Sequence, residues 1–276
     1  MKKKILNLIM AMYLLIHCIF ILSSCNFEQG HTHTYDNGIC IECGEIKGLQ
    51  FEYMESSDSY KVLDGHQVIA SEFSIPAIYN DGTHGEKPVT TIYASAFSYC
   101  KVIAKIEIPS SIKVIEADAF HGCSNIYEVV LCEGLETIGD YAFVECRALG
   151  RVAIPNSVKN IGVEIFAGCI ALQDVVLGQN ITEMTDHMFN GCNNIGDIVI
   201  PNSVTRIGKY AFTRCVNMVE ITIPNSLEEI DEYAFADCDS LERINFQGSY
   251  NEWIKLENNI GEGNEMFLYS VIEFIN

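Results

Sequence analysis

Apolar residues recur every 23 positions between residues 89 and 250, where seven units follow one another without insertion or deletion. In each unit a phenylalanine stands three residues before a cysteine, and further apolar residues stand three, six and eight positions after that cysteine. The phenylalanines are Phe97, Phe120, Phe143, Phe166, Phe189, Phe212 and Phe235, and the cysteines are Cys100, Cys123, Cys146, Cys169, Cys192, Cys215 and Cys238. This fixed period predicts a solenoid, because one unit is too small to bury its own apolar face and packs on its neighbours.

The pattern within a unit predicts one short strand and one turn. The apolar residues six and eight positions after the cysteine, such as Val152 and Ile154, face the same side of a strand. The phenylalanine and the cysteine share one side of a helical turn. We therefore predict a repeat solenoid with one parallel β-sheet, short helical turns on the other side, and a cap at each end.

The unit at residues 207–224 reads Ile-Gly-Lys-Tyr-Ala-Phe-Thr-Arg-Cys-Val-Asn-Met-Val-Glu-Ile-Thr-Ile-Pro. It resembles the leucine-rich repeats of BspA-like bacterial surface proteins, and the resemblance covers residues 49–276. It implies a leucine-rich repeat solenoid that lies at the cell surface or is secreted, and that binds host, matrix or cell-surface proteins. It implies no activity, because the repeated residues are core residues.

The amino terminus has the pattern of a bacterial export signal. Residues 1–4 are basic, residues 5–22 are mostly apolar, and Leu22-Ser-Ser-Cys25 resembles a lipobox. We predict that residues 1–24 are a lipoprotein signal peptide and that Cys25 carries the lipid anchor. The protein is then extracytoplasmic, at a membrane or the cell surface. An ordinary signal peptide and an uncleaved membrane anchor remain as alternatives.

Residues 25–48 join this anchor to the array and contain a candidate zinc knuckle. The four candidate ligands are His31, His33, Cys40 and Cys43, and a turn at Asp36-Asn37-Gly38 lets them approach one another. Two cysteines in a Cys-x-x-Cys hairpin suit tetrahedral zinc. A site with all four positions closed would be structural, because no water would remain for activation. A disulfide between the two cysteines and a disordered tether are the alternatives.

The remaining segments predict caps on either side of the repeats. Residues 49–88 form an N-terminal cap that includes a strand hairpin, residues 89–250 hold the seven repeats, and residues 251–276 form a C-terminal cap. Trp253 is expected to plug the end of the core, although a binding-site aromatic is the alternative. The seven repeating cysteines are expected to be buried thiols rather than disulfides.

The charge balance limits the classes of partner. With 17 basic and 37 acidic residues, a net charge of -20, the chain lacks the cationic surface that phosphate backbones need, which argues against nucleic acid. Two outward columns of the sheet contain candidate ligand-binding residues, an acidic run beside a small apolar one, which would suit a basic partner. These candidates are Asp174, Val176, Asp197, Val199, Glu220 and Thr222. The alternative is an ordinary solvated surface.

No catalytic constellation is evident, since His66, His84, His121 and His187 are scattered and their positions imply no acidic partner. We therefore predict a non-catalytic, surface-anchored protein that binds protein or cell-surface ligands. A structural or envelope-scaffolding role is the alternative, and a zinc-dependent enzyme is the third possibility. Apart from a structural zinc, no cofactor is predicted.

Overall fold

The structure is a computed structural model that describes residues 33–41 and 43–275. The predicted signal peptide, Cys25 and His31 lie outside these residues. In chain order the strands are β1 (Tyr35–Asp36), β2 (Ile39–Cys40), β3 (Gln50–Met54), β4 (Ser59–Asp64), β5 (Glu72–Ser74), β6 (Ile78–Tyr79), β7 (Lys87–Ile92), β8 (Lys105–Ile108), β9 (Val114–Ile115), β10 (Glu128–Leu131), β11 (Thr137–Ile138), β12 (Arg151–Ala153), β13 (Asn160–Ile161), β14 (Asp174–Val176), β15 (Glu183–Met184), β16 (Ile198–Val199), β17 (Arg206–Ile207), β18 (Glu220–Pro224), β19 (Glu229–Ile230), β20 (Arg243–Gln247) and β21 (Val271–Phe274), and the helices are α1 (Tyr250–Glu257) and α2 (Glu265–Tyr269).

Each repeat forms one coil of a solenoid, which confirms the predicted fold class. Two parallel sheets run along the coils. The first sheet contains β5, β8, β10, β12, β14, β16, β18, β20 and β21, and the second contains β7, β9, β11, β13, β15, β17 and β19 with the β3–β4 hairpin at its amino-terminal end. Register partners within the repeats lie 23 residues apart, as in the pair Glu128 and Arg151. The second sheet was not predicted, and its strands within the coils mostly have two residues.

Both sheets are interrupted near the middle of the array. In the first sheet β14 pairs with β12, and the next paired segment begins at β16. In the second sheet β13 pairs with β11, and the next segment begins at β15. The predicted sheet is therefore divided into two hydrogen-bonded segments. The division lies around the coil that contains β14 and β15.

A third side of the solenoid continues across this interruption. Here the phenylalanine N–H of one coil donates to a carbonyl of the next, as Phe166 does to Met188 at 3.0 Å. The phenylalanine rings stack at centroid distances of 5.0 Å to 5.6 Å from Phe97 to Phe235. The predicted helical turns are present as turns rather than helices. In all seven coils the residue five positions before the cysteine has a φ of 56° to 59°, as at Tyr210.

The repeating cysteines form the predicted ladder of buried thiols. Six of them donate a hydrogen bond to the phenylalanine carbonyl of the preceding coil, as Cys123 does to Phe97 at 2.9 Å. Each thiol therefore satisfies its donor without leaving the apolar core. Burial raises the pKa of Cys123 to about 12, so this thiol stays protonated at neutral pH.

Both ends of the core are covered. At the amino-terminal end, β3 and β4 form an antiparallel hairpin, and β4 pairs with β7 in parallel. At the carboxyl-terminal end, Ser249 and Glu252 form a capping box that starts α1. Trp253 is 3 % exposed and packs against Phe246 and Phe267, so it plugs the core as predicted. None of the helices in the described residues is long and apolar enough to cross a membrane.

Candidate binding face and candidate metal centre

The outward face of the first sheet has mutually paired charges at its amino-terminal part. Glu128 accepts from Lys105 at 2.8 Å and from Arg151 at 2.7 Å. Burial raises the pKa of Glu128, but the hydrogen bonds from these two cations outweigh burial and lower the pKa overall. The negative charge of Glu128 is therefore paired within the chain, and this part of the face has no free acid for a basic partner among these three side chains.

The acidic run further along the face does not behave as one unit. Asp174 and Asp197 are exposed, whereas Glu220 is half-buried. Glu220 lies 3.2 Å from the Arg243 guanidinium and accepts a hydrogen bond from Asn245 at 2.5 Å. The sequence pattern makes the three acids equivalent, but neighbouring side chains of this chain engage Glu220. The sheet interruption also separates β14, which contains Asp174, from the strand that follows Asp197.

The apolar column beside the acids is unevenly exposed. Val199 has 51 % of its surface exposed, whereas Val176 and Thr222 are half-buried. Asn245 approaches the Thr222 hydroxyl at 3.5 Å, which places another polar group beside the column. The accessible part of the candidate face is therefore centred on Asp174, Asp197 and Val199, at the interruption of the first sheet.

A second candidate site lies before the array, in the hairpin of β1 and β2. Asn37 and Gly38 form its turn with φ values of 47° and 83°, and Tyr35 pairs with Cys40. The left-handed conformation at both positions is the one that Asn-Gly turns favour. The Cys40 carbonyl then accepts from the Gly44 amide at 2.8 Å, so the chain turns back between the two cysteines.

This local folding brings three of the four predicted metal ligands together. One ligand atom each from His33, Cys40 and Cys43 lies within 4.8 Å of the others. The Cys43 sulfur is 3.5 Å from Nδ1 of His33. Both cysteines are thiols rather than a disulfide. The fourth predicted ligand, His31, lies outside the described residues.

Glu45 contacts the His33 side of this cluster, outside the three ligand atoms that lie within 4.8 Å of one another. Its Oε2 lies 2.9 Å from Nδ1 of His33, on the same ring nitrogen that faces Cys43. The Cys40 amide donates to the Glu45 carbonyl at 2.8 Å, which holds this residue against the hairpin. A carboxylate is an accepted zinc ligand. The position of Glu45 directly after the Cys-x-x-Cys-Gly sequence could have indicated it as a candidate ligand.

The hairpin is packed on the N-terminal cap rather than separated from it. Ile46 is buried in the continuous core, and Ile39 packs against that core. A Cβ on Gly38 would lie 2.7 Å from the Ala70 amide nitrogen, so this glycine permits the close approach of the turn to the cap. Residues 33–41 and 43–48 are therefore packed on the cap and do not form a disordered tether.

Three of the scattered histidines have aspartate partners that were not predicted. The pairs are His66 with Asp64 at 2.7 Å, His84 with Asp81 at 2.7 Å, and His121 with Asp118 at 2.8 Å. An aspartate two or three residues before each histidine was the available signal. In the first two pairs the same carboxylate also accepts the histidine backbone N–H. These pairs therefore stabilise local turns and do not form a shared site.

Comparisons with known proteins agree with this architecture. The family model described as a BspA type leucine rich repeat region matches residues 90–218 and 188–257, in six copies. A crystal structure of a leucine rich repeat protein from T. pallidum, TpLRR, is 25 % identical with a TM-score of 0.62, over 70 % of this chain and 88 % of that one. A leucine-rich repeat protein from Bacteroides ovatus is 22 % identical with a TM-score of 0.49, over 79 % of this chain and 67 % of that one. No curated protein matches this sequence.

Proposed function

Because the chain belongs to the family of BspA type leucine rich repeat proteins, we propose that it binds a protein partner through the outward face of the first sheet. Proteins of this family are typically non-catalytic, and leucine-rich repeat proteins generally bind other proteins. The proposed contact is centred on Asp174, Asp197 and Val199, and the proposed partner presents basic and apolar side chains. The biological setting we propose is adhesion or interaction with another cell.

The observation that supports this choice is the exposure of Asp174, Asp197 and Val199 on this part of the face. Around Glu128 the charges pair within the chain, and Glu220 is engaged by Arg243 and Asn245. Asp174 and Asp197 are exposed beside Val199, a strongly exposed valine. Exposed acids accelerate association with a basic protein.

We also propose that a lipid on Cys25 holds the protein at the outer side of a membrane. The support is the basic, apolar and Leu-Ser-Ser-Cys order of the first 25 residues. Incorporation of labelled palmitate is expected in the unaltered protein and lost in Cys25→Ala. Incorporation that persists in the variant would show that Cys25 is not the anchor.

The binding face is tested with a charge reversal and a matched control. The double variant Asp174→Lys with Asp197→Lys is compared with Glu55→Lys and Asp239→Lys, which change two exposed acids away from this face by the same total charge. Both proteins are used to capture partners from cell-surface and matrix extracts over a series of salt concentrations. We expect salt-sensitive capture that the first variant loses and the control retains.

Equal loss in both variants would mean that net charge, rather than this face, governs binding. Unchanged capture by the first variant would exclude the face, and the envelope-scaffolding role would then be the better hypothesis.

A further inference from the structure

We propose that His33, Cys40, Cys43 and Glu45 bind one zinc ion, which fastens the amino-terminal hairpin to the N-terminal cap. The Glu45 carboxylate, which contacts Nδ1 of His33, turns toward the two sulfurs to provide the fourth ligand. The ion is structural, and this inference is independent of the binding face on the first sheet.

The spacing of the ligand atoms suits a zinc ion. Zinc binds sulfur at about 2.3 Å and nitrogen at about 2.0–2.1 Å in a tetrahedral arrangement, so a sulfur and a nitrogen on one ion lie about 3.5 Å apart. The Cys43 sulfur and Nδ1 of His33 are 3.5 Å apart. The Cys40 sulfur lies within 4.8 Å of both atoms, so the three ligands need only small movements to close on an ion.

Nδ1 of His33 points at both the Cys43 sulfur and, at 2.9 Å, the Glu45 carboxylate. A zinc ion bound here uses the Nδ1 lone pair of His33 and the Glu45 carboxylate oxygen, which already lie next to each other.

The proton balance of binding follows from these groups. Two thiols, one carboxylate and one imidazole bind Zn²⁺. Each thiol loses one proton on binding, and the imidazole must be neutral, so a protonated imidazolium also releases one proton. Two thiolates and one carboxylate give the loaded site one net negative charge. The Lys47 ammonium lies 5.4 Å from the centroid of the Tyr35 ring, close to the hairpin, which partly offsets this charge.

Neighbouring residues already orient the ligands. The His33 ring stacks on Tyr35 at a centroid distance of 5.8 Å, which restricts rotation of the imidazole. The backbone bond from the Cys40 amide to the Glu45 carbonyl fixes the peptide that carries the carboxylate. Such orientation around a metal changes affinity by about 10- to 100-fold when it is lost.

The packing of the hairpin shows what the ion would stabilise. Gly38 and Gly48 both make backbone approaches to the cap that a side chain would prevent, and Ile46 inserts into the core. The first coil of a solenoid needs a cover, since its apolar face lacks a preceding coil. Zinc holds the short β1–β2 hairpin in the shape that provides part of this cover, because an isolated two-stranded hairpin is only marginally stable in water.

The test begins with the purified protein and zinc alone as the probe. We expect one zinc per chain by elemental analysis after dialysis, and loss of the zinc together with a lower Tm on addition of a chelator. A Cys40–Cys43 disulfide with no bound metal, shown by mass spectrometry of the untreated protein, would overturn the proposal. Zinc that dialysis removes without any change in Tm would also overturn it, as adventitious binding.

The identity of the fourth ligand is tested with cobalt(II) in place of zinc. We expect Glu45→Gln to weaken zinc binding by at least about 10-fold in competition with a chelator, whereas His31→Ala and the control Glu55→Gln leave it unchanged. In Glu45→Cys a third thiolate joins the ion, so the thiolate-to-cobalt charge-transfer absorption should rise to about 1.5 times its original intensity. An unchanged cobalt spectrum in Glu45→Cys, with loss of binding in His31→Ala, would assign the fourth position to His31 and refute the role of Glu45.

Discussion

The stack of Phe166 on Phe189 is expected to carry the coupling between the two halves of the array. Both sheets are interrupted around this contact, so hydrogen bonds between paired strands do not cross it. The two rings lie 5.6 Å apart, and the Phe166 amide donates to the Met188 carbonyl at 3.0 Å. We predict that Phe166→Ala separates the unfolding of the two halves.

The magnitude follows from the burial and the neighbours of Phe166. Its side chain is fully buried and stacks on Phe143 at 5.5 Å as well as on Phe189. Removing a core phenylalanine costs about 3–5 kcal/mol, of which each lost aromatic contact accounts for about 0.5–1.5 kcal/mol. In a solenoid the total stability is close to a sum of unit and interface terms, so this loss falls on one unit and its two interfaces.

The assay uses two probes of the same urea titration. Far-UV circular dichroism reports all coils, whereas the fluorescence of Trp253, the single tryptophan, reports the carboxyl-terminal cap. We expect coincident transitions in the unaltered protein and separate transitions in Phe166→Ala. The matched control is Phe120→Ala, whose ring lies 5.0 Å and 5.1 Å from its two neighbours inside the continuous segment of both sheets. It should lose similar stability while the two transitions still coincide.

Two results would refute this reasoning. Coincident transitions in Phe166→Ala would mean that other contacts couple the halves. Separate transitions of equal extent in both variants would mean that the sheets do not add to the coupling, and that every interface depends on the phenylalanine stack alone.

Two further predictions concern packing and pH. Gly178→Ala should lower the free energy of unfolding by about 1–3 kcal/mol, because the new Cβ would lie 2.4 Å from the Pro155 carbonyl oxygen. In the control Gly150→Ala the new Cβ lies in open space, and an equal loss of stability there in urea unfolding would contradict this reason. Glu128 has a folded pKa below its ordinary value, so its contribution to stability is present above the unfolded carboxyl pKa of about 4.3 and is lost as pH falls through the folded pKa. Glu128→Gln should therefore be less stable than the unaltered protein at pH 7, and the difference should shrink in acid; a difference that is independent of pH would exclude this ion-pair account.

The parts of the fold that depend on a local pattern could be predicted from the sequence. The 23-residue period, with phenylalanine and cysteine always three residues apart, predicts the stacked rings and the thiol ladder, because equivalent residues of stacked coils must meet. The Asn37-Gly38 turn could also be predicted, because the geometry of such a turn depends on those two residues alone. The structure confirms the elements that these patterns define: the stacked rings, the thiol ladder and the turn.

Features that depend on packing between coils could not be predicted in this way. Strands of two residues, such as β13 and β15, are too short to show the alternation that marks a strand. The pairing of Glu220 with Arg243 and Asn245 depends on side-chain conformation across neighbouring strands. Glu45 reaches the metal-ligand cluster only because the hairpin folds back on itself.

The position of the candidate binding face gives the interruption a functional consequence. Asp174 lies in β14, the last strand of one hydrogen-bonded segment, and Asp197 directly precedes β16, the first strand of the next. A partner that contacts both residues bridges the two segments and binds best when the coils are fully stacked. Its binding energy then adds to the coupling between the halves, because a ligand stabilises the state to which it binds. The separate unfolding transitions expected in Phe166→Ala should therefore approach each other when the partner is present. A partner that shifts both transitions by the same amount, without bringing them together, binds elsewhere on the solenoid.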